Sequence, residues 1–312
     1  MRRDVTPGTG VVPHGFDDDA QTRRLLRSRP PRQALDWAGS ALGGTVTAAR
    51  ALRGGTASAV HLLTVSTGTG RSHRVVLRRY VREDAQPGSA GREARALRFA
   101  ARLAVSTPEL LAVDTGGDEA GVTAVLMSWL PGSVRWWPAD TERWLAGLAA
   151  LLPAVHAAPA PPPVIPVFTP YRQASYQPPG WARWPRVWDQ AVEICHGPLP
   201  EGPRVFVHRD FHPGNVLWQR ETVTGVVDWL GACTGPPSAD VGHCRVNLLQ
   251  YGAAAVARFT RAWEALTGAT YHPWADIVTI IGFLDGLRDE PPPPGERELT
   301  EEVLAQAVTA LG

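Results

Sequence analysis

The sequence predicts an α+β protein in which a strand-rich first part is followed by a larger, mainly helical second part. Up to about residue 130, short apolar runs alternate with turns that contain glycine or proline, which is typical of strands joined by hairpins. Beyond Pro131 and Gly132, apolar residues recur at helical spacing, first over residues 141–156. Hydrophobic residues make up 44% of the 312 residues and charged residues 20%, so the chain can bury a substantial core.

The elements of this fold can be assigned in chain order. Residues 1–33 are rich in Arg, Asp, Pro and Gly and predict an irregular or partly helical extension. Strands are predicted over residues 45–52, 60–65, 75–77, 108–113 and 123–130, and over the short runs 205–207, 216–218 and 223–227. Helices are predicted over residues 92–102, 141–156, 184–194, 253–267, 274–289 and 300–311. The Pro-rich stretch from Pro159 to Pro170 predicts a surface loop.

The chain contains no lysine, because all 31 of its Lys and Arg positions are arginine. This excludes a Walker-type phosphate loop, whose lysine binds the nucleotide phosphates. It also excludes Schiff-base chemistry, including that of pyridoxal-phosphate enzymes, which needs a lysine amine. Any cation that binds phosphate in this protein must therefore be an arginine.

The net charge, the cysteine count and the length of the apolar runs narrow the class of protein. A formal net charge of +1 is not typical of a protein that binds nucleic acid broadly. The three cysteines cannot form a disulfide framework and lack the spacing of a zinc site. No apolar run reaches the ~20 residues of a membrane helix, and no apolar signal segment follows the basic N-terminus. We therefore expect a cytoplasmic enzyme or binding protein without a nucleic-acid or membrane partner, and the sequence does not indicate its oligomeric state.

One strand-rich segment of the second half carries polar residues at spacings that predict a reactive site. The segment runs from Val205 through Asp210 and Asn215 to Asp228. The apolar runs on either side of residues 219–222 predict a hairpin that returns Asp228 to the side of Asn215. The loop before this hairpin would hold Asp210 near the same point, so three oxygen-bearing side chains would converge.

This set of side chains suits the binding of magnesium and the activation of a hydroxyl. Magnesium binds few protein ligands, prefers carboxylate and carbonyl oxygens, and completes its coordination with substrate phosphates. Asn215 and Asp228 are therefore candidate metal ligands, and Asp210 is the candidate catalytic residue that orients the proton of an attacking hydroxyl. The spacing His-x-Asp-x-x-x-x-Asn, followed thirteen residues later by a strand-borne Asp, is the catalytic-loop and metal-loop pair of the kinase fold.

The segment HRDFHPGNVLW, followed by GVVDW, resembles the aminoglycoside phosphotransferase and choline kinase-like family of small-molecule kinases. Three further stretches are similar to landmarks of that family, namely LMSWLPG at residues 126–132, VHA at residues 155–157 and GPPSADV at residues 235–241. The resemblance spans about residues 45–290, and its most specific part runs from His208 to Asp240.

This resemblance implies a protein-kinase-like bilobal fold. Residues 1–33 would be an N-terminal extension, residues 34–130 a small antiparallel-sheet N-lobe that binds the nucleotide, and residues 131–312 a mainly helical C-lobe with the catalytic loop and the acceptor-binding helices. It also implies Mg²⁺-dependent transfer of the γ-phosphate of ATP or GTP to a hydroxyl of a small polar molecule, for example an aminoglycoside or another antibiotic.

Kinases of this fold hold the nucleotide phosphates with a strand-borne lysine that pairs with a helix glutamate. In this sequence the corresponding cation is Arg78, with Arg79 as the alternative, because adjacent residues of a strand face opposite sides. Glu93 is the expected helix partner, since Leu97 lies one turn further along and indicates that this helix face points inward.

The resemblance also assigns the remaining site residues. The expected nucleotide contacts are Gly55 and Ser58 in a Gly-rich loop and, near the base, Met127 and Trp129. A plain hairpin turn is the alternative interpretation of this glycine pair. His208 is expected to hold the loop around Asp210, and Asp240 to bond the backbone of that loop.

Two other functions fit parts of the sequence. A nucleotide-binding pseudokinase or regulatory module would keep the fold without turnover, and the arginine in place of lysine favours it. A zinc or di-metal hydrolase would use His208, Asp210 and His212, although the distant Asp228 fits that function less well.

The acceptor is the least determined part of the prediction. The acidic residues Asp285, Asp289 and Glu290 of the second half could attract a cationic aminoglycoside, and a solvated helix end is the equally good alternative interpretation. The candidate aromatic residues of an acceptor pocket are Trp181, Trp184 and Trp188.

Overall fold

The structure, a computed structural model, describes residues 20–52, 58–81, 88–158 and 164–312. The chain forms two compact units: the first comprises residues 1–102 and 106–131, and the second comprises residues 103–105 and 132–312. Residues 20–33 of the predicted extension thus belong to the first unit. Residues 53–57 of the predicted Gly-rich loop and residues 159–163 of the Pro-rich stretch lie outside the described residues. Within the described residues, every helix is too short or too polar to cross a membrane.

The first unit is built on a five-stranded antiparallel sheet. Its strands are β1 (Gly44–Ala51), β2 (Ala59–Thr67), β3 (Ser72–Arg79), β4 (Leu110–Asp114) and β5 (Ala124–Ser128), in the order β1-β2-β3-β5-β4. Its helices are α1 (Ala20–Arg27), α2 (Arg32–Ser40) and α3 (Ser89–Ala100). The sequence predicted all five strands and α3. It did not predict α2, because nine residues give little more than two turns of helical periodicity.

The two faces of this sheet carry different side chains, because alternate residues of a strand point to opposite sides. Leu77 on β3 pairs with Leu126 on β5, and both are buried in one core with Trp37 of α2. Their strand neighbours Arg78 and Met127 therefore project from the opposite face. The register of β3 against β5 thus separates the hydrophobic core from the face that carries Arg78.

Two polar side chains, His61 on β2 and Arg79 on β3, are buried on the core face. Arg79 donates Nη2 to the carbonyl oxygen of Ser28, which follows α1, at 3.1 Å. Burial lowers the pKa of His61, and the positive charge of Arg79 lowers it further. We therefore expect His61 to be neutral in the folded protein near neutral pH.

The second unit contains two small sheets and seven α-helices among its described residues. Strands β6 (Ser133–Val134), β8 (Val216–Gln219) and β9 (Thr222–Val226) form one antiparallel sheet, and β7 (Val205–Val207) pairs with β10 (Cys233–Gly235). The helices are α4 (Thr141–His156), α5 (Pro185–His196), α6 (Ser238–Asn247), α7 (Ala253–Thr267), α8 (Trp274–Gly282), α9 (Leu284–Asp289) and α10 (Pro294–Leu311).

Four of these helices differ from the prediction. The single helix predicted over residues 274–289 is interrupted at Phe283, where φ is −103° and ψ is 5°, and forms α8 and α9. Helix α10 begins at Pro294 instead of Thr300, because proline is well tolerated in the first turn of a helix. Helix α6 was not predicted, since nine of its ten residues are buried and several of them are polar, so it shows little amphipathic periodicity.

Close packing determines where α6 lies. A Cβ atom placed on Gly242 would come within 2.6 Å of the backbone carbon and the Cβ of Ala275 on α8. Only a glycine therefore allows the two helices to approach this closely. The position of α6 matters because it carries Asp240, one of the predicted site residues.

The buried His61 predicts a specific pH dependence of stability. The unfolded chain takes up a proton near the ordinary histidine pKa of about 6.5, whereas the folded chain resists protonation because its pKa is lower. The free energy of unfolding should therefore fall as the pH decreases through this range. In His61→Phe this decrease should be smaller, as measured by urea unfolding between about pH 5 and pH 8.

The matched control is His73→Phe, since His73 is exposed on the adjacent strand β3. This variant should keep the pH dependence of the wild type. Identical pH dependence in His61→Phe and the wild type would show that His61 does not resist protonation in the fold.

Candidate active site

In the first unit, the predicted phosphate-binding arginine lies in a buried polar network. Arg78 on β3 donates Nη1 to Oε1 of Glu93 on α3 at 2.7 Å and Nε to Oγ of Ser58 at 2.6 Å. Tyr80 donates its hydroxyl to the other oxygen of Glu93. The side chains of Arg78 and Glu93 are only 7% and 1% exposed, so water screens this ion pair weakly. The structure therefore contains the predicted pairing of a strand arginine with Glu93.

The register of β3 decides between the two arginines that the sequence left open. Arg79 points to the core face and bonds the carbonyl oxygen of Ser28, whereas Arg78 reaches Glu93 from the other face. Arg78 is therefore the candidate cation for phosphate binding.

The other predicted nucleotide contacts are distributed around the same face of the sheet. Met127 on β5 projects from the face that carries Arg78. Trp129 lies just beyond β5, and the guanidinium of Arg74 stacks over its ring at 3.6 Å, which is a cation–π contact. Gly55 lies outside the described residues, so its role stays a prediction.

In the second unit, one buried carboxylate holds residues 208–215 between β7 and β8, the loop that the sequence predicts to be the catalytic loop. Asp240 on α6 accepts the backbone N–H groups of His208 (2.9 Å) and Arg209 (2.6 Å) and bonds Nε2 of His156 at the end of α4 (2.9 Å). Burial raises the pKa of Asp240, but His156 and the backbone N–H groups outweigh it and keep the pKa below the usual range. An anionic Asp240 therefore anchors the start of the loop.

The ring of His208 supports the segment that leads to Asp228. Its Nε2 lies 2.9 Å from the carbonyl oxygen of Val227, and the buried ring packs against Trp229 with a centroid distance of 4.6 Å. In the described part of the chain, no group of three or more His, Cys, Asp or Glu side chains is placed to hold a metal ion. The arrangement thus gives His208 a supporting contact and does not favour the zinc site considered from the sequence.

Asp210 is held at both oxygens of its carboxylate. Asn215 donates Nδ2 to Oδ2 at 3.1 Å and to the backbone oxygen of Asp210 at 2.8 Å. Nε2 of His243 on α6 lies 2.9 Å from Oδ1, and Nε2 of His212 lies 3.9 Å from it. Burial raises the pKa of Asp210, but the hydrogen bond with His243 and the nearby histidines bring the pKa well below its usual range. The side chain is 37% exposed, so an ionised carboxylate is accessible to a ligand.

The β8–β9 hairpin brings Asn215 and Asp228 together, as the apolar runs predicted. Val216 pairs with Val226, and the N–H of Val227 donates to the carbonyl oxygen of Asn215 at 2.9 Å. Asp228 follows directly and has φ 64° and ψ 62°, a left-handed conformation that is uncommon outside glycine and that clusters at functional sites.

These two residues fit a hard cation. The amide nitrogen of Asn215 is used by Asp210, so its amide oxygen is the atom left for a cation. An amide oxygen beside a carboxylate is the type of donor set that Mg²⁺ prefers.

A comparison with known families decides the class. Residues 48–277 match the phosphotransferase enzyme family. The chain belongs to this family. The matched range includes Arg78, Glu93 and the whole segment from His208 to Asp240, and it confirms both the family and the enzyme class that the sequence predicted.

Solved structures of phosphotransferases have the same fold. The macrolide 2′-phosphotransferase of Brachybacterium faecium is 18% identical with a TM-score of 0.55, and the likeness covers 86% of this chain and 97% of that one. A thermostable mutant of an aminoglycoside phosphotransferase, solved with AMP-PNP and hygromycin B, is 17% identical with a TM-score of 0.59 over 90% of this chain and 99% of that one. These likenesses confirm the predicted kinase-like α+β fold.

A curated relative matches over a shorter stretch. The N-acetylmuramate/N-acetylglucosamine kinase of Pseudomonas aeruginosa is 35% identical over 109 residues, which are 34% of this chain. The chain spans only 29% of the length of that kinase.

The structure of this phosphotransferase adds residues that the sequence did not single out. Tyr80 lies two positions beyond Arg78 on the same strand side, so strand alternation was a signal for it. His156 was noted only as a family landmark. His243 lies on the unpredicted helix α6, and no local pattern indicated that it reaches Asp210.

Three of the six acceptor candidates from the sequence use their side chains in hydrogen bonds within the protein. Asp285 pairs with Arg288 and accepts the N–H of Ala174 at 2.7 Å, so it is not a free negative charge. Trp181 donates its indole N–H to the carbonyl oxygen of Leu287 at 2.9 Å. The indole N–H of Trp188 likewise goes to Glu301 at 3.1 Å. Trp184, Asp289 and Glu290 lie at the surface.

Replacing Glu93 should strongly destabilise the first unit. Glu93→Leu removes the counter-charge that the buried guanidinium of Arg78 has in the wild type. Breaking a buried ion pair in this way costs about 3–5 kcal/mol, which urea unfolding can measure.

The matched control is Asp36→Ala, which removes an exposed pair with Arg32 on α2. It should cost less than about 1 kcal/mol, because exposed pairs are well screened. A similar small loss in Glu93→Leu would contradict the importance of the buried network.

Proposed function

We propose that this phosphotransferase moves the γ-phosphoryl group of ATP to a hydroxyl of a small polar molecule and requires Mg²⁺. One observation carries the proposal: the carboxylate of Asp210 is held by Asn215 beside a hairpin that places Asp228 next to the same residue. Phosphoryl transfer to a hydroxyl needs this combination of a proton-orienting carboxylate and oxygen ligands for a metal. We place the reaction in the cytoplasm, in keeping with three free, buried cysteines.

In the proposed reaction, the acceptor hydroxyl oxygen forms a bond to the γ-phosphorus while the bond from that phosphorus to the β–γ bridging oxygen breaks. ADP leaves with the electron pair of the broken bond, and the hydroxyl proton passes toward the carboxylate of Asp210. Because Asp210 is ionised and held at both oxygens, it can accept the hydrogen bond of the hydroxyl and align the attacking oxygen. Most of the rate acceleration then comes from positioning and charge stabilisation.

The other site residues hold the donor. Asn215, through its amide oxygen, and Asp228 would bind Mg²⁺, which when bound supplies positive charge to the phosphate oxygens. Arg78 would contact the phosphates, since a guanidinium stays charged and can bond two phosphate oxygens at once. Glu93 and Ser58 keep Arg78 in place.

The similar proteins favour ATP as donor and narrow the acceptors to be tested. Aminoglycoside phosphotransferases of this fold were solved with AMP-PNP or ADP together with hygromycin B. The partial relative is named for N-acetylmuramate and N-acetylglucosamine, and another similar structure for a macrolide. The acceptor class we propose is therefore a small molecule that carries hydroxyl groups, with sugars and antibiotics as the first candidates.

A coupled assay of nucleotide consumption tests the proposal. ATP and GTP are offered in turn with Mg²⁺ and with N-acetylmuramate, N-acetylglucosamine, hygromycin B, a macrolide or choline. We expect Mg²⁺-dependent ATP consumption that one acceptor stimulates. Tight ATP binding without turnover, with every acceptor and with water, would instead indicate a pseudokinase.

Replacing Asp210 should separate chemistry from nucleotide binding. Asp210→Ala removes the carboxylate that orients the hydroxyl, and such a loss lowers turnover by about 10²- to 10⁴-fold. The Kd for ATP, measured by calorimetry, should stay close to that of the wild type. The control Asp189→Ala removes an exposed carboxylate on α5 and should leave both quantities unchanged. Full turnover in Asp210→Ala would refute the role of this residue.

Replacing Asp228 should change the response to magnesium. Asp228→Ala removes the only carboxylate of the proposed ligand pair, so the Mg²⁺ concentration for half-maximal turnover should rise and turnover at saturating ATP should fall. A magnesium titration of the ATPase or transferase activity measures both. A wild-type magnesium response in Asp228→Ala would exclude it as a ligand.

A further inference from the structure

Helix α6 reaches the catalytic loop with two residues that lie three positions apart. Asp240 bonds the backbone N–H groups of His208 and Arg209, and His243 bonds the side chain of Asp210. Residues i and i+3 of a helix lie on the same face. One rigid element therefore determines both the path of the loop backbone and the orientation of its accessible carboxylate.

His243 is itself firmly held. Its side chain is 5% exposed, and its ring packs edge-on against Phe283, between α8 and α9, with a centroid distance of 5.3 Å. The ring of His212 lies 5.8 Å away. The close approach of α6 to α8 at Gly242, one residue before His243, leaves the backbone little freedom to move. The imidazole is thus a fixed donor in front of Asp210.

The contact with His243 restricts a rotation that the rest of the loop leaves open. The terminal torsion of an aspartate is broad and roughly two-fold, so a carboxylate held at one oxygen can turn. Asn215 holds Oδ2 of Asp210, and His243 holds Oδ1 at 2.9 Å. Turning the carboxylate would therefore break at least one of these bonds. The lone pairs of Asp210 that these two bonds do not use thus keep a constant direction.

We propose that His243 is a positioning residue for phosphoryl transfer, whose Nε2–H holds Oδ1 of Asp210 so that the carboxylate stays aligned with the acceptor hydroxyl. The proposal rests on the function proposed above, in which Asp210 orients that hydroxyl. It assigns His243 no contact with substrate. Nε2 of His243 lies 2.9 Å from Oδ1, and Nδ2 of Asn215 lies 3.1 Å from Oδ2, so the carboxylate is placed between two ring or amide nitrogens that can donate to it.

The test compares two replacements of His243. His243→Leu removes the donor but keeps an apolar side chain of similar size. We expect kcat to fall about 100-fold, since misplacing a reactive group by about 1 Å costs this much. The KM and Kd for ATP and the Tm should stay near the wild-type values. His243→Gln keeps an amide donor near the position of Nε2 and should recover most of kcat.

The control is His196→Leu on α5, because His196 is exposed and lies on another helix. It should leave kcat unchanged. The assay uses ATP with the most effective acceptor of the panel, or water where hydrolysis is the measurable turnover. An unchanged kcat in His243→Leu would overturn the proposal, and so would equal losses in the Leu and Gln variants with a raised KM for ATP. Full turnover in Asp210→Ala would instead overturn the proposed function.

A spectroscopic readout tests the contact without turnover. In ¹⁵N-labelled protein, Nε2 of His243 should show the signal of a protonated ring nitrogen, assigned by its loss in His243→Gln. Asp210→Ala should shift this nitrogen resonance and leave those of His196 in place. Unchanged His243 resonances in Asp210→Ala would overturn the proposal even for a protein without detectable turnover.

Discussion

The buried carboxylate of Asp240 is the interaction on which the geometry of the second unit depends. It joins the end of α4, through His156, to the first two residues of the catalytic loop. The second of these, Arg209, has φ 70°, a left-handed conformation that costs about 1–3 kcal/mol outside glycine and persists only where neighbouring contacts determine it. Asp240 supplies such a contact by accepting the N–H of Arg209. A buried backbone N–H without an acceptor would also cost about 1–3 kcal/mol. The path of the loop that leads to Asp210 therefore depends on the side chain of Asp240.

A similar arrangement occurs in the first unit, where a buried helix carboxylate holds a group that the proposed reaction uses. Glu93 on α3 holds Arg78, as Asp240 on α6 holds the backbone next to Asp210. In both units the acid belongs to a different element from the group that it positions. Buried charges are tolerated when they are paired and hydrogen-bonded, and within each unit that requirement also fixes the position of the group that the carboxylate holds. The left-handed backbone of Asp228 adds a second strained residue to the same region of the second unit.

The sequence predicted the parts of the site that depend on neighbours along the chain. The hairpin that returns Asp228 to Asn215 needs only two short strands and a turn, and apolar runs reveal both. The pairing of Arg78 with Glu93 followed from the family resemblance, whereas strand alternation left Arg79 as an alternative until the register was known. Helix α6 escaped prediction because it is buried almost all round and carries polar residues inward. The contact from His243 to Asp210 was not predicted either, because His243 lies on this helix.

The sequence by itself therefore determined the kind of chemistry. The absence of lysine excludes a phosphate loop of the Walker type and Schiff-base catalysis, and it leaves arginine as the only cation of this kind for binding phosphate. A carboxylate, an amide and a second carboxylate follow one another at the spacing found in kinases. It also determined the family, because the segment from His208 to Asp240 is continuous. Only the tertiary structure decided that Arg78 and not Arg79 meets Glu93, and that His243 holds Asp210. It also decided that Asp285 pairs with Arg288 and accepts the N–H of Ala174. The physical reason is that strand and turn patterns are set by residues a few positions apart. The partner of a buried charge is instead set by how separate elements pack, and in α6 that packing depends on a glycine at position 242.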